Sequence, residues 1–264
     1  MTEVWGKNPK PKLDDDIQSR ADEISGYKEK KDVFFAFVDV LGFQQMYDEH
    51  RNDEGREFTK RYERVFGYFS KLMNNAKFMQ DSKKNGDIAA AGQTSDSLYF
   101  YTDRPDYLLA FIKIYSHFIV YAMSQDVYFR GGIAKGDLFI NEPYQFYGDS
   151  VIKAYLLEET LAKFPRVAID QKTYKEISPE MEADCFDQER GRYYIRPFLD
   201  TQISDISEHY DPAFQFEEVG EVEFEQIKVN IERNLDKNEF VEGVYLKYYY
   251  LKERIDKVKS KTQE

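Results

Sequence analysis

A chain of 264 residues with 21 Phe and 21 Tyr is long enough to bury a substantial core and has the aromatic surface to fill it. Its formal charge of -12 excludes a nucleic-acid polyanion as the main partner, because that binding needs a basic footprint; an acidic chain can still hold a nucleotide when metal ions offset the phosphates. The single cysteine, Cys185, excludes an internal disulfide, and His50, His117 and His209 are too few for a Cys/His zinc cluster, which fits a reducing cytosol.

Residues 1–30 are rich in Lys, Asp, Glu and Pro with little apolar rhythm, and read as a mobile or helical arm. The body is expected over 31–228. It opens with the apolar run Val33 to Leu41, the pattern of a strand covered on both faces. A helix follows from about Glu54 to Ala76, with Phe58, Tyr62, Val65, Phe66, Phe69 and Leu72 on one face, and then a polar loop from Gln80 to Gly86. Ala89 to Tyr101 reads as two short strands around a turn at Thr94-Ser95-Asp96, which sets Asp96 at a hairpin tip.

Pro105 opens a helix to Ser124 that is apolar nearly all round. Lys113, Ser116 and His117 interrupt its apolar stretch and the N-terminus is polar, so no membrane span or export signal is expected and the protein is taken as soluble and cytoplasmic. His117 reads as a buried structural histidine. Val127 to Ile140 is a hairpin candidate whose Gly131-Gly132 pair marks a close approach of backbone to backbone or ligand. Gly148-Asp149-Ser150 caps a helix that Pro165 ends, and Arg166 to Asp170 resumes as a strand. Residues 190–228 are expected to add strands and loops. The segment 229–264 has Val241, Val244, Tyr245, Tyr248, Leu251, Ile255 and Val258 at three- and four-residue steps, an amphipathic helix suited to docking on the body or a partner. This order gives an α+β class: a ferredoxin-like antiparallel sheet with helices on one face, plus the C-terminal helix.

Two aspartates carry the chemistry. Asp39 ends the first apolar strand and Asp96 sits at the tip of its expected neighbour. A carboxylate ending a buried run is costly unless a cation or hydrogen-bond donors meet it. The two together point to Mg²⁺ or Mn²⁺ that would also bind a triphosphate, with backbone N–H groups of Val40-Leu41-Gly42-Phe43 facing the phosphates and Gly42 letting the chain come close. The competing reading makes Asp39 a cap for the following turn and Asp96 an ordinary turn residue.

Phe37-Val38-Asp39-Val40-Leu41-Gly42-Phe43, Thr94-Ser95-Asp96-Ser97, Arg130-Gly131-Gly132-Ile133-Ala134-Lys135-Gly136 and Tyr147-Gly148-Asp149-Ser150-Val151 resemble, in that order, the motifs of class III nucleotide cyclases. Within that superfamily the chain is most similar to the pyrimidine nucleotide cyclases of bacterial Pycsar anti-phage systems. The resemblance implies a class III cyclase-type fold in which Asp39, Asp96 and the main-chain carbonyl of Val40 hold two Mg²⁺ or Mn²⁺ ions. It implies conversion of a ribonucleoside triphosphate to its 3′,5′-cyclic monophosphate and pyrophosphate. It also implies a head-to-tail homodimer with a shared site, and a downstream effector that binds the cyclic product.

Purine cyclases of this superfamily read their base with a Lys or Glu and an Asp or Cys where this chain has Gly92 and Gln145, which favours UTP, or CTP, as substrate. Their transition-state Asn and Arg are replaced by Ile152 and Leu156, with Lys153, Arg130 and Arg196 as candidate substitutes. That replacement keeps open an alternative, a catalytically silent nucleotide-binding or interaction module. Further substrate contacts are expected from Leu41, Gly42, Phe43, Tyr47, Thr94 and Ser95, with Phe43 or Tyr47 covering or reading the base unless they pack in the core.

Overall fold

The computed structural model describes residues 28–50, 56–86, 89–141, 145–177, 185–196, 210 and 221–262. Strand β1 (Lys28–Val40) is followed by helices α1 (Phe43–His50), α2 (Arg56–Asn75) and α3 (Lys77–Asn85) and the hairpin β2 (Ala89–Thr94) and β3 (Ser97–Thr102). Next come α4 (Pro105–Ser124), the long strand β4 (Phe129–Asn141), the short β5 (Gln145–Tyr147), α5 (Asp149–Leu161), β6 (Val167–Ile169) and α6 (Gln171–Ile177). A second hairpin, β7 (Phe186–Glu189) and β8 (Arg192–Ile195), precedes two C-terminal helices, α7 (Glu221–Lys237) and α8 (Glu242–Thr262).

The strands form one sheet in the order β2-β3-β1-β4-β6-β8-β7, with β5 folded back on β4. The expected α+β class is present. Its sheet is mixed rather than purely antiparallel, because α5 is a crossover that returns the chain to lay β6 parallel to β4, Gly131 opposite Val167. Strand β1 lies centrally, antiparallel to β3 and β4, and its side chains alternate between two different cores. Phe34, Ala36, Val38 and Val40 face the large one, built with α2, α3, α4, α7 and α8. Val33 and Phe35 face a small one, to which α5 contributes Ala154, Val151 and Leu157.

Helices therefore cover both faces, and α5 is the exception to the expected one-sided arrangement. Two glycines make room for it and for β1. A Cβ on Gly132 would stand 2.1 Å from the Ala154 carbonyl oxygen of α5, and one on Gly131 would stand 2.3 Å from the Phe37 carbonyl oxygen. The close approach expected of this pair is thus to neighbouring backbone.

Several local expectations change. Lys28 to Lys30 belong to β1, paired with Ile140 to Leu138, so the body starts before Lys31; residues 1–27 of the expected arm lie outside the described residues. The expected polar loop Gln80 to Gly86 is helical through Asn85: Phe78, Met79 and Ser82 form a buried face of α3, and Gly86, at φ 91°, closes it with an N–H bond to the Ser82 carbonyl. The expected hairpin Val127 to Ile140 is instead the single strand β4, from Phe129, since the fold-back comes later, at β5.

Residues 221–228 start α7 rather than a loop, and the expected single C-terminal helix is two, separated at 238–241. Leu251 and Ile255 of α8 are buried in the large core. Helix α4 is long and apolar enough to cross a membrane, yet it is buried inside the body, with His117 bonded to the Tyr68 hydroxyl at 2.9 Å. Residues 197–209 and 211–220, within the stretch expected to carry strands and loops, lie outside the described residues.

Candidate active site

The end of β1 and the tip of the β2–β3 hairpin meet. Asp39 pairs with Ser97 across the ladder, and the Ser97 hydroxyl donates to Asp39 Oδ1 at 3.2 Å. One residue on, the Val40 N–H donates to the carbonyl of Asp96 at 3.2 Å, which holds the hairpin tip against the strand end. The tip is a two-residue turn, Ser95-Asp96, with Ser95 at φ 53°. Its Ser95 carbonyl accepts from the Tyr62 hydroxyl of α2 and from Gln93 Nε2, the latter at 3.0 Å. Tyr62 stacks on Phe66 with ring centroids 4.1 Å apart, so the turn is fastened to the large core.

Burial raises the Asp39 carboxyl to about 6, and the neighbouring Asp96 carboxylate adds to the shift; the Ser97 hydroxyl and Arg130 only partly offset them. Arg130, opposite Asp39 on β4, explains the weak offset. Its Nε lies 2.6 Å from Oε1 of the buried Glu158 of α5, while its Nη2 stays 3.9 Å from Asp39 Oδ2. Glu158 draws the guanidinium away from Asp39. Lys247 of α8 stands near the same arginine: burial lowers its ammonium pKa and Arg130 lowers it further.

Beside these carboxylates, on the α5 face of the sheet, opens a cleft of about 470 Å³. Aromatic side chains, Phe35, Phe37, Tyr99, Phe146 and Tyr147, form most of its wall; Thr94, Ser97 and Gln145 supply polar groups. A mostly apolar concavity with a few convergent polar groups, next to a desolvated carboxylate, has the general form of a small-molecule site.

The structure brings Asp39, Asp96, Val40, Ser95 and Thr94 together at one sheet end and lines the neighbouring cleft with Thr94 and Gln145. It separates others from that cleft. Leu41 and Gly42 line a different hollow, with Arg61, Asp126 and Arg233. Gly42 takes φ 78° at the turn into α1, as close chain reversal there requires. The expected phosphate-facing amides are partly spent, Val40 N–H on Asp96 and Leu41 N–H on the Tyr128 carbonyl at 2.7 Å.

Phe43 packs against the large core, edge-on to Tyr62 at 6.0 Å, which is the core reading of that residue; Tyr47 is exposed on α1. Gly92 lies under the Tyr99 ring. Lys153 is held by Asp149 at 2.5 Å on the exposed side of α5, and Arg196 pairs with Asp187 at the β7–β8 hairpin. Sequence reasoning missed Ser97, Tyr99, Tyr62, Glu158 and Lys247. A signal existed for one of them: Glu158 falls in the stripe Ser150, Ala154, Glu158, where an acid on a buried helix face asks for a cation.

Among the described residues no three His, Cys, Asp or Glu side chains gather to ligate an ion. The candidate donor set is two carboxylates and the Val40 main-chain carbonyl, all hard oxygens of the kind Mg²⁺ and Mn²⁺ take with water and phosphate completing the shell.

No family model matches the chain, and no curated protein matches it. Solved structures do. The monomeric guanylyl cyclase domain of the RhoGC fusion protein from the aquatic fungus Blastocladiella emersonii is 15% identical, with a TM-score of 0.44 over 64% of this chain and 96% of that one. The guanylate cyclase domain of RhGC from Catenaria anguillulae, in complex with GTP, is 15% identical, with a TM-score of 0.43 over 64% and 98%. The catalytic core of a rhodopsin-guanylyl cyclase with converted specificity, in complex with ATPalphaS, is 14% identical, with a TM-score of 0.43 over 64% and 98%. Likeness of that degree leaves the chemistry to be read from the chain's own side chains.

Proposed function

We propose that this protein is a nucleotide cyclase that converts a pyrimidine ribonucleoside triphosphate, UTP before CTP, to the 3′,5′-cyclic monophosphate and pyrophosphate, as a second-messenger step in anti-phage defence. The observation that carries the reading is the junction of Asp39 with the Asp96 turn beside an aromatic cleft. Asp39 is a desolvated carboxylate that its own arginine does not neutralise; Asp39, Asp96 and the Val40 carbonyl would hold a divalent cation, which would answer that imbalance. Such ions, when bound, supply neutralisation of the triphosphate and acidification of the ribose 3′-hydroxyl.

The chain's own residues do the rest. Asp39 and Asp96 fix the charge at the strand end, Ser97 orients Asp39, and Glu158 keeps Arg130 from displacing the cation. The loop's share in phosphate binding is small in this reading, since the amides of Val40 and Leu41 are engaged and Gly42 lines a separate hollow. Thr94, Ser97 and Gln145 face the base, and Gly92 offers no purine-reading side chain. The 3′-hydroxyl gives its proton to water as its oxygen attacks the α-phosphorus in line, the bond from that phosphorus to the oxygen bridging to the β-phosphate breaks, and pyrophosphate leaves with that bond's electron pair.

A second copy completes the site in this reading. Ile152, Tyr155 and Leu156 of α5 and Tyr147 of β5 are large apolar side chains left about half exposed beside the cleft, a surface suited to a dry interface between copies. The same Ile152 and Leu156 favour the alternative, a silent module that binds nucleotide without turnover, because they put no polar group at the places of the family's transition-state Asn and Arg.

Incubation with each ribonucleoside triphosphate and Mn²⁺, with chromatography of the products, decides between the two readings. The expected products are cyclic UMP, then cyclic CMP, with Asp39→Ala and Asp96→Ala each folded and inactive. Substantial turnover by either variant at saturating Mn²⁺ removes the metal assignment. Nucleotide binding by the wild type without any product establishes the silent module instead.

A further inference from the structure

We infer that Tyr99 determines base size in the cleft; this rests on the pyrimidine reading above. Tyr99 stands opposite Gly92 across the β2–β3 ladder and opposite Phe37 across β1–β3, on the sheet face that carries Asp39. A Cβ on Gly92 would lie 2.4 Å from the Tyr99 hydroxyl oxygen and 2.6 Å from Cζ, well inside contact distance. The phenol therefore occupies the volume into which any side chain at position 92 would project. Gly92 and Tyr99 form a matched pair: one is small because the other is folded over it.

The ring is a fixed wall rather than a movable cover. Tyr99 is only 5% exposed, and its centroid is 4.6 Å from that of Phe146. Phe146 is itself packed by Phe35 at 5.7 Å and Tyr101 at 6.0 Å, so the wall is braced from three strands, β1, β3 and β5. Displacing Tyr99 would disturb the packing of this small core, where its ring meets Phe146.

The same ring lines the cleft together with Thr94, Ser97 and Gln145. A one-ring base can lie against the aromatic wall and reach those polar groups. A two-ring base needs the depth that the phenol fills, and it meets an apolar surface where its second ring carries polar nitrogen atoms. Leaving those unpaired in a closed site is penalised, as is overpacking a rigid wall. Tyr99 is thus a specificity-determining residue that acts by bulk, with its hydroxyl secondary.

Product formation and calorimetric binding are measured with UTP, CTP, ATP and GTP in Mn²⁺ for the wild type, Tyr99→Phe, Tyr99→Leu and Tyr99→Ala. Circular dichroism melts confirm that each variant is folded. Tyr99→Ala should raise the purine-to-pyrimidine ratio by about tenfold or more in both readouts, in the range that pocket-shape discrimination supplies. Tyr99→Phe should stay within about twofold of the wild type, because the bulk remains. Tyr99→Leu should fall between, and it carries the test if Tyr99→Ala fails to fold. An unchanged binding ratio in a folded small-side-chain variant overturns the assignment of Tyr99, and a Tyr99→Phe effect as large as that of Tyr99→Ala overturns the role of bulk. A wild type that binds pyrimidine triphosphates selectively but yields no cyclic product removes the cyclase reading alone.

Discussion

The two faces of the sheet are built on different principles. On one, Phe34, Ala36, Val38 and Val40 of β1 meet a deep core closed by helices, with Phe100 stacked on Phe111 at 4.2 Å and Phe69 edge-on to Phe118. On the other, a single helix, α5, covers part of the sheet, while Phe37 and Asp39 stay half-buried and Ile152 and Leu156 point outward exposed. The first face supplies stability; the second is left partly uncovered, where the proposed function seats ligand and partner. The two are one residue apart on the same strand, so a change of parity along β1 separates fold from chemistry.

Phe100→Ala should break the first face with the largest effect on stability, about 3–5 kcal/mol, because it empties a fully buried ring position between Phe78 and Phe111. Urea unfolding monitored by circular dichroism measures it. The Asp39 variants of the second face should show no such loss in the same experiment.

Titration sharpens the contrast, because the two faces respond to pH with opposite sign. His117, buried against Tyr68, is lowered from 6.5 to about 4, so the unfolded chain binds its proton more readily. Its neutral burial therefore favours the folded state above pH 6.5, and that contribution is lost as pH falls toward 4, on the order of 3 kcal/mol.

Asp39 is raised from 3.8 to about 6, so the folded state binds its proton more readily. Its contribution is present below 3.8 and lost as pH rises through about 6. Thermal melts of metal-free protein across this range should show a shallower acid loss for His117→Gln and a steeper one for Asp39→Asn. A common slope for the two variants would contradict the assignment of the groups to different environments.

Lys153→Ala should do the least to stability. Its pair with Asp149 is exposed on the outer side of α5, and exposed i,i+4 pairs contribute at most about 0.5 kcal/mol. A melting temperature that moves no more than the measurement error is the expected result. A large shift would mean that α5 is held to the sheet by charge rather than by Ala154 and the Gly132 contact.

Much of the first face was legible in sequence. Pro105 to Ser124 is helical over the expected residues, and the hairpin around Ser95-Asp96 forms where its turn residues put it, because strong periodicity and turn chemistry act locally. Helix α3 was hidden by its polar residues Gln80 to Asn85, since its buried stripe is only Phe78, Met79 and Ser82. On the second face the pairing of Asp39 with the Asp96 turn followed from strand order. The Tyr99–Gly92 pair did not, and the buried stripe that holds Glu158 does not name Arg130 as its partner, for both contacts join residues from different elements.

By itself the sequence determined which strand ends in a carboxylate, which hairpin presents another, and that position 92 carries no side chain. These depend on local pattern and on residue identity. Only the tertiary structure decided that the Leu41 amide is spent on Tyr128, that Glu158 restrains Arg130, and that a tyrosine fills the place above Gly92. Those outcomes depend on how far apart packed elements come to rest, a distance fixed by every side chain between them together.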